Sequence, residues 1–297
     1  MTQSVVNPER LIEEFLEMVQ VDSVSGTERQ LADLLIRKLT DLGLEVREDE
    51  AGRVVGSNTG NIIGRLPGNG RGPVIMFSAH MDTVEPGQGV KPVLADGVIR
   101  SAGDTVLGAD DKAGIATILE VLKIVREQSF QHGGLEVVFT IWEEGGMFGA
   151  KNLQYHLLKA HYGFVLDSDG DPGTIITRAP SHDEIGITIR GKSAHAGLNP
   201  EDGINAIKVA SEAIAQMELG RIDHETTCNI GIISGGKATN IIPDRVTIKG
   251  EARSLCASKR EAQTARICRA VYQAAEKHGA QAEITTELLY NGFNLDQ

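Results

Sequence analysis

Three apolar runs of the chain each end in acidic or histidine side chains, and this repetition restricts the possible folds more than any other feature. Residues 74–77 lead to His80 and Asp82, residues 135–142 lead to Glu143 and Glu144, and residues 164–166 lead to Asp167. Short apolar runs of this kind are typical of buried strands. Because side chains alternate along an extended chain, His80 and Asp82 share one face where the first of these strands ends.

Helical patterns alternate with these strands. A helix is predicted from Asp111 onward, since apolar residues recur there at helical spacing, at Ile115, Ile118, Leu119, Leu122 and Val125. Alternating strands and helices predict an α/β fold with a mostly parallel sheet. Functional groups in such sheets gather beyond the carboxyl ends of the strands, so the acids and His80 should converge on one edge.

This convergence predicts a metal centre. Carboxylates that lie close together repel and raise one another's pKa unless cations are present, and a pair of metal ions is the economical explanation. Asp110 and Asp111, taken alone, also have a purely structural interpretation, because the positive end of a helix dipole favours anions.

The N-terminal residues predict two further helices. Asn7 and Pro8 match the N-cap and first position of one helix. Thr27 and Gln30 match a capping box for the second, which should end at Gly43.

Composition excludes several classes of function. The chain has 297 residues and a net charge of −12, which argues against nucleic acid or an anionic membrane surface as a main partner. No apolar run approaches the roughly 20 residues that span a bilayer, and the N-terminus lacks the pattern of a signal peptide. The three cysteines form no Cys-x-x-Cys pair and favour reduced thiols in a cytoplasmic protein.

The sequence changes character near Pro180 and predicts a second domain. Residues 184–190 alternate between apolar and polar, as expected for a strand with one solvated face. The predicted order from there is β-α-β-β-α-β, which is a ferredoxin-like α+β unit. We therefore predict a catalytic domain over residues 1–181, an inserted lid or dimerisation domain over 182–291, and a return to the catalytic domain over 292–297.

Together these segments resemble the dinuclear-zinc peptidases and deacylases that include peptidase T, peptidase V, carboxypeptidase G and succinyl-diaminopimelate desuccinylase. The matching motifs are Ser-Ala-His80-Met-Asp82-Thr-Val, Gly-Ala-Asp110-Asp111-Lys-Ala-Gly, Glu143-Glu144-Gly-Gly, Val-Leu-Asp167, Gly-Lys-Ser-Ala-His195-Ala-Gly and Ala-Thr-Asn240-Ile-Ile-Pro-Asp. They occur in the family's order over nearly the whole chain, and their wording most resembles that of peptidase T and its relatives.

The resemblance implies a role for each metal-site residue. His80 and Asp167 would bind one zinc ion, Glu144 would bind the other, and Asp110 would bridge the two. Asp82 would orient the His80 ring. The resemblance also implies a cis peptide bond between Asp110 and Asp111.

Further roles follow from the same resemblance. Glu143 would act as the general base on a water that bridges the metals. His195, from the same subunit or a partner, would stabilise the oxyanion. Asn240 and Arg253 would bind substrate, although a surface ion pair is an equally good interpretation of Arg253.

The sequence departs from the family pattern at its C-terminal end. In the family, the chain returns to the catalytic domain after the lid and supplies a final histidine to the second zinc site. No histidine of this sequence occupies that place. The second site would then have only Asp110 and Glu144, fewer than the four ligands usual for zinc.

The expected function is a zinc-dependent exopeptidase that hydrolyses short peptides, with a tripeptidase or aminopeptidase preference and a possible homodimer through the lid. A deacylase or desuccinylase of N-acyl amino acids would use the same metals with a different pocket. A third possibility is an inactive, truncated protein that binds metal and dimerises. Retention of Glu143 argues against this last alternative, because a structural metal site needs no general base.

Overall fold

The computed structural model describes residues 5–295. The chain forms two compact units, Met1–Gly170 and Asp171–Gln297. The boundary expected at residue 181 remains a prediction. Of the expected last segment, Asp296 and Gln297 lie outside the described residues.

The first unit alternates strands and helices, as the sequence predicts. Its helices are α1 (Pro8–Val19), α2 (Arg29–Asp41), α3 (Ala51–Val55), α4 (Ala109–Glu127) and α5 (Phe148–Lys151). Its strands are β1 (Glu45–Glu48), β2 (Ile62–Pro67), β3 (Ile75–His80), β4 (Pro92–Ala95), β5 (Val98–Ser101), β6 (Gly134–Thr140) and β7 (Tyr162–Val165). A single 3₁₀ turn, Tyr155–Leu157, precedes β7.

Five of these strands form one sheet in the order β1-β2-β6-β3-β7. The β6–β3 and β3–β7 pairs are parallel, and the β1–β2 and β2–β6 pairs are antiparallel. Four strands therefore run in one direction, and β2 runs in the other. His80 lies opposite Thr140 at the carboxyl ends of β3 and β6, so the residues that follow both strands emerge at the same edge.

Helices α1, α2 and α4 bury one apolar core with this sheet. Leu35 of α2, Leu119 of α4 and Phe139 of β6 are fully buried in it. Asn7 accepts a hydrogen bond from the amide of Arg10 and Pro8 occupies the first turn, as predicted for α1. Packing of this core therefore fixes the strands whose ends carry the site.

The start of α2 differs from the prediction. The helix begins at Arg29, and the side chain of its N-cap residue, Glu28, makes no capping hydrogen bond; the amide of Arg29 donates to Oδ1 of Asn58 at 2.9 Å. The Thr27 hydroxyl instead donates to the carbonyl of Val24. The capping box is therefore wrong, because the loop before α2 uses its polar groups for other contacts.

The second unit contains a ferredoxin-like domain, and the predicted fold class is confirmed. Its elements are β8 (Arg178–Ala179), β9 (Ser181–Arg190), α6 (Ala206–Ala215), β10 (Gly220–Arg221), β11 (Thr226–Gly235), β12 (Arg245–Ser254), α7 (Ala257–His278), β13 (Gln281–Tyr290) and β14 (Phe293–Asn294), with a 3₁₀ turn at Pro200–Asp202. The sheet order is β10-β11-β12-β9-β13, and every pair is antiparallel. The apolar sides of α6 and α7 pack against this sheet.

Two short strands of the second unit, β8 and β14, pair with each other.

Among the described residues, no helix has the length and apolar character needed to cross a bilayer.

Candidate metal centre

The ends of the first unit's strands bring the predicted ligands together. Ligand atoms of His80, Asp110 and Glu144 lie within 4.8 Å of one another, and those of His80, Glu143 and Asp167 do the same. The two groups share His80. The sequence placed these residues on four separate segments, and the parallel arrangement of β3, β6 and β7 collects them.

His80 is buried and its ring is fixed from both sides. Nδ1 lies 2.8 Å from the backbone oxygen of Asp82, and Nε2 lies 2.9 Å from Oδ1 of Asp110 and 4.0 Å from Oδ2 of Asp167. Since a backbone oxygen can only accept, Nδ1 carries a proton and donates it to Asp82. That contact leaves Nε2 to face the acids, as required of a metal ligand.

The carboxylate of Asp82 is fully buried and binds the next strand's loop. Oδ1 accepts the amide of Glu143 at 2.8 Å, and Oδ2 accepts the amide of Glu144 at 3.2 Å and the hydroxyl of Ser25 at 2.6 Å. Asp82 therefore reaches His80 mainly through its backbone and the glutamates through its side chain. This second contact was not part of the sequence prediction.

Asp110 and Asp111 stand at the start of α4 with non-helical backbone angles. The peptide bond between them is cis, which confirms that prediction. Asp110 is largely exposed and turned towards His80, whereas Asp111 is buried and accepts the amide of Gly114 at 3.1 Å. Burial, together with the negative charges of Asp167 and Asp110, raises the pKa of Asp111 to about 8. The adjacent acids are thus divided into one that faces the cluster and one that supports the turn.

The electrostatics of the cluster show an excess of negative charge. Partial burial and the charge of Asp167 raise the pKa of Glu143 to about 7. Partial burial and neighbouring carboxylates also raise the pKa of Glu144 and of Asp167. Burial lowers the pKa of His80, but Asp82 and Asp110 outweigh this effect and raise it to about 10.

These residues fit a divalent metal. One imidazole nitrogen and several carboxylate oxygens face one another, and such donors suit zinc and other transition metals. The raised pKa values show that positive charge is favoured at this place, as a cation would supply it.

His195 and Asn240 lie together in the second unit. Residues on either side of them are joined, because the amide of Ala196 donates to the carbonyl of Asn240 at 2.9 Å and His195 forms a bridge with Ile241. Nδ1 of His195 accepts the amides of Gly197 and Leu198, both at 3.2 Å. A ring nitrogen that accepts cannot also carry the proton, so Nε2 of the neutral ring is a donor.

Arg253 lies at the other end of β9. Arg253 of β12 is paired with His182 near the start of β9, whereas His195 follows the C-terminal end of β9. Its guanidinium donates to both carboxylate oxygens of Glu251, at 3.1 and 3.0 Å, and to the hydroxyl of Tyr290 at 3.2 Å. The structure therefore does not bring Arg253 together with His195 and Asn240, and its fork of donors is already engaged.

Comparisons with known proteins identify the family. Residues 182–279 match the profile of the peptidase dimerisation domain, and residues 61–198 match that of peptidase family M28. YqjE of Bacillus subtilis, which is uncharacterised, is 48% identical over 97% of this chain and 78% of its own length. A crystal structure of the aminopeptidase PepT from Bacillus cereus is 47% identical, has a TM-score of 0.94, and is matched over 98% of this chain and 78% of that one. The chain belongs to the family of peptidase T.

A second solved relative supports the same assignment. The structure of a tripeptidase from Staphylococcus aureus is 41% identical with a TM-score of 0.96, over 98% of this chain and 78% of that one. The predicted family and the enzyme class, a peptidase and hence a hydrolase, are confirmed. Peptidases of this family depend on metal ions, and the described residues contain the two candidate groups for one.

Sequence reasoning missed two side chains that border the site. Glu28 and Asn61 are fully buried and hydrogen-bond the segment that carries the two glutamates. Neither belongs to a motif that names a metal ligand. No sequence pattern marks their roles. The one available indication was that a buried glutamate or asparagine in apolar surroundings needs hydrogen-bond partners.

Proposed function

We propose that the chain is a zinc-dependent exopeptidase that removes residues from short peptides with a free amino terminus. The observation that carries this proposal is the convergence of His80, Asp110, Glu143, Glu144 and Asp167 at one edge of the sheet. Its substrate class is supported by the aminopeptidase and the tripeptidase of known structure, which are 47% and 41% identical to it over 78% of their own chains.

The residue roles are those that the resemblance implies. His80 and Asp167 would hold one zinc ion, Glu144 the other, and Asp110 both. Bound zinc would supply an acidic water as the nucleophile and a Lewis acid for the scissile carbonyl. The two observed groups do not separate the functions of Glu143 and Glu144, because each glutamate lies within ligand range of His80.

Glu143 is assigned the role of general base because the resemblance implies it and because Glu143 is less exposed than Glu144. A carboxylate beside the bound water can take a proton from it and return that proton to the leaving amine.

Three residues of the second unit would serve the substrate. His195 is exposed and carries its ring proton on Nε2, which suits it to stabilise an oxyanion. Asn240 lies beside it. Arg253 would bind a carboxylate only by exchanging its contact with Glu251, so its assignment rests on the resemblance.

We also propose a homodimer that forms through the second unit. Residues 182–279 match a dimerisation domain. In the described part of the chain, β10 pairs only with Thr227 and Cys228 of β11, so that the outer edge of β11 beyond them has no strand partner. Ile232 and Ile233 are 58% and 52% exposed there. An unpaired edge with exposed isoleucines suits pairing with a second copy.

A cytoplasmic location remains a prediction from the free cysteines.

The decisive experiment combines metal analysis with a substrate panel. Zinc per chain is measured by elemental analysis, and the zinc-loaded protein is assayed on dipeptides, tripeptides, N-blocked tripeptides and N-acyl amino acids. We expect cleavage of tripeptides with a free amine and none of the blocked ones. Turnover of N-acyl amino acids alone would instead identify a deacylase, and absence of both zinc and turnover would contradict the proposal.

Two variants separate the adjacent glutamates. Glu143→Ala should lower kcat by about 10²–10⁴-fold and leave the zinc content unchanged, as expected for the loss of a general base. Glu144→Ala should lower the zinc content as well. The reverse pattern would show that the two roles are exchanged.

A further inference from the structure

Four successive backbone amides bind buried side chains where β6 leaves the sheet. The amide of Ile141 donates to Oδ1 of Asn61 at 3.1 Å, and that of Trp142 donates to Oε1 of Glu28 at 3.0 Å. The next two amides, of Glu143 and Glu144, donate to the carboxylate of Asp82 at 2.8 and 3.2 Å. All three acceptor side chains are 0% exposed. The segment that presents the two glutamates is therefore held residue by residue.

Glu28 is bound on every side by groups of this region. Besides Trp142, its Oε1 accepts the amide of Gly26 at 2.9 Å, and its Oε2 accepts the hydroxyl of Ser57 at 2.9 Å. Burying a carboxylate is costly unless it is hydrogen-bonded, and burial raises the pKa of Glu28. A fully buried glutamate is therefore unusual in a loop. Its carboxylate accepts hydrogen bonds from residues 26, 57 and 142.

Ser25 links the same loop to Asp82. Its hydroxyl donates to Oδ2 of Asp82 at 2.6 Å, the oxygen that also accepts the amide of Glu144. The loop is further joined to the chain after β3, because Thr83 donates its amide to the carbonyl of Ser23 at 3.0 Å. We call Ser25 and Glu28 the brace. Through it, one loop contacts both Asp82 and Trp142.

The segment that the brace contacts has a demanding backbone. Trp142 has φ of 47°, in the left-handed region that a bulky residue rarely adopts. It directly precedes Glu143, whose carboxylate must face the nucleophile while that of Glu144 faces a metal. A misplacement of 1 Å at a catalytic group costs roughly 100-fold in rate. Two adjacent side chains with different tasks can only be aimed if the amides between them are fixed.

We propose that Ser25 and Glu28 are positioning residues of the active site, which set the directions of Glu143 and Glu144 by fixing the amides of residues 142–144. This inference rests on the proposed function of the two glutamates. Glu28 acts directly on Trp142, and Ser25 acts through Asp82. Neither residue touches the reacting atoms.

The chain contains a matched control for Glu28. Glu136 on β6 is also 0% exposed and also binds two successive amides, those of Lys159 and Ala160, at 2.8–3.0 Å. It is paired with Met76, four residues before His80, towards the other end of the strands. Removing it should therefore cost stability comparably without touching the site.

The experiment compares Glu28→Ala, Glu28→Gln, Ser25→Ala and Glu136→Ala in the zinc-loaded protein. Glu28→Ala should lower kcat about 10–100-fold with KM changed less than about threefold, the usual range for a group that orients a ligand. Glu28→Gln keeps an acceptor oxygen for Trp142 and Gly26, and should restore kcat to within about threefold. Ser25→Ala, on a partly exposed loop, should lower kcat about threefold to tenfold. Glu136→Ala should keep kcat within about twofold once the folded fraction is corrected.

A second measurement does not depend on activity. Hydrogen exchange of the amides at 142–144 should become about tenfold faster or more in Glu28→Ala, as expected when one hydrogen bond of a protected segment is lost, and should be unchanged in Glu136→Ala. Wild-type kcat in both Ser25→Ala and Glu28→Ala would overturn the inference, as would an equal loss of kcat in Glu136→Ala. If Glu28→Ala does not fold, Ser25→Ala and Glu28→Gln decide through the same two measurements.

Failure of the proposed function would be visible separately. A wild-type protein that binds zinc but turns over no peptide and no N-acyl amino acid contradicts the function. Zinc affinity then replaces kcat as the test of the brace. Because Glu144 is a proposed ligand, Glu28→Ala should weaken zinc binding and Glu136→Ala should not, and equal affinities in all variants would overturn the inference.

Discussion

The two units of the chain use similar layers of sheet and helix, but buried carboxylates are bound differently around Asp183 of the second unit and at the metal edge of the first. In the second unit, the buried Asp183 and Arg260 pair with each other at 3.1 Å, and Asp183 also accepts the hydroxyl of Thr264 at 2.8 Å. In the first unit, carboxylates outnumber the cations around them, and the buried Asp82 and Glu28 bind backbone amides at the edge where the ligands meet. Buried charge is balanced by a cation at Asp183, and it is directed at a site where the strands of the first unit end.

This difference indicates what each unit is built to do. A buried ion pair contributes little net stability, but it is costly to break because one partner stays behind uncompensated. Carboxylates that face one another at an open edge are unfavourable without a cation, and they persist where function requires them. Substitutions in the second unit should therefore change stability, and substitutions at the strand ends of the first unit should change metal binding and rate.

The largest effect should come from breaking the balanced pair. Asp183→Ala removes the buried partner of Arg260 and leaves it only the exposed Glu261 at 3.1 Å, and should lower the free energy of unfolding of the second unit by about 3–5 kcal/mol. Denaturant unfolding measures the loss. The zinc content of the folded protein should not change, and a loss of zinc would erase the contrast between the units.

An exposed pair of the same unit supplies the control. Asp223 and Lys259 lie 3.0 Å apart at the surface. Asp223→Ala should change stability far less than Asp183→Ala, because solvent screens an exposed pair. Similar losses in both variants would show that burial is not the cause.

A smaller free-energy change is expected at the directed charge of the first unit. Asp82→Asn keeps the size of the side chain but replaces one acceptor oxygen with a donor, which cannot bind the amides of Glu143 and Glu144 together with Ser25. Both kcat and zinc affinity should fall about 10–100-fold. Kinetics and zinc titration measure these changes, with Glu136→Gln as the variant that should leave both intact. A folded Asp82→Asn protein with wild-type kcat and zinc affinity would contradict the assignment.

Much of this contrast can be predicted from the sequence, because it depends on periodicity. Alternation of apolar runs with helical patterns predicted the α/β unit, and strict alternation over residues 184–190 predicted the ferredoxin-like one. The ligands could be predicted because each follows an apolar strand, so that a parallel sheet must collect them. His80 and Asp167 are examples, more than 80 residues apart in the chain and 4.0 Å apart in the structure.

The rest depended on tertiary contacts that carry no local pattern. Thr27 and Gln30 matched a capping box, but Glu28 and Ser25 of the same loop form long-range hydrogen bonds, and the loop takes another course. The Asp82 side chain was expected at His80, and nothing in the sequence shows that the amides of residues 143 and 144 would reach it. Arg253 matched a substrate-binding role, yet its bond to Glu251 depends on a spacing of two residues on one strand face. Such contacts are set by the fold after the periodic elements have packed.

The edge of the second sheet offers a further test of the division between the units. Ile232→Lys places a charge on the exposed edge of β11, where a second copy would pair. The dissociation constant of the homodimer should rise about tenfold or more, which analytical ultracentrifugation measures. Ile207→Lys, at an isoleucine of α6 that is 41% exposed, is the matched control and should leave the dimer intact. Equal weakening by both would place the interface elsewhere.

The smallest effect should appear in the pH dependence of the second unit. Burial and the charge of Arg253 lower the pKa of His182, while Glu251, Glu184 and Asp183 oppose the shift. As pH falls through about 6.5, the usual value for histidine, the unfolded chain takes up a proton that the folded unit resists, and the free energy of unfolding decreases. The decrease stops once the pH is below the lowered pKa of the folded state.

His182→Gln, which cannot be protonated, should lose less stability between pH 7 and pH 5 than the wild-type protein does. Denaturant unfolding at several pH values measures the difference. A wild-type protein that gains stability relative to the variant on acidification would show that the neighbouring glutamates outweigh burial, and that His182 belongs with the balanced charges of its unit.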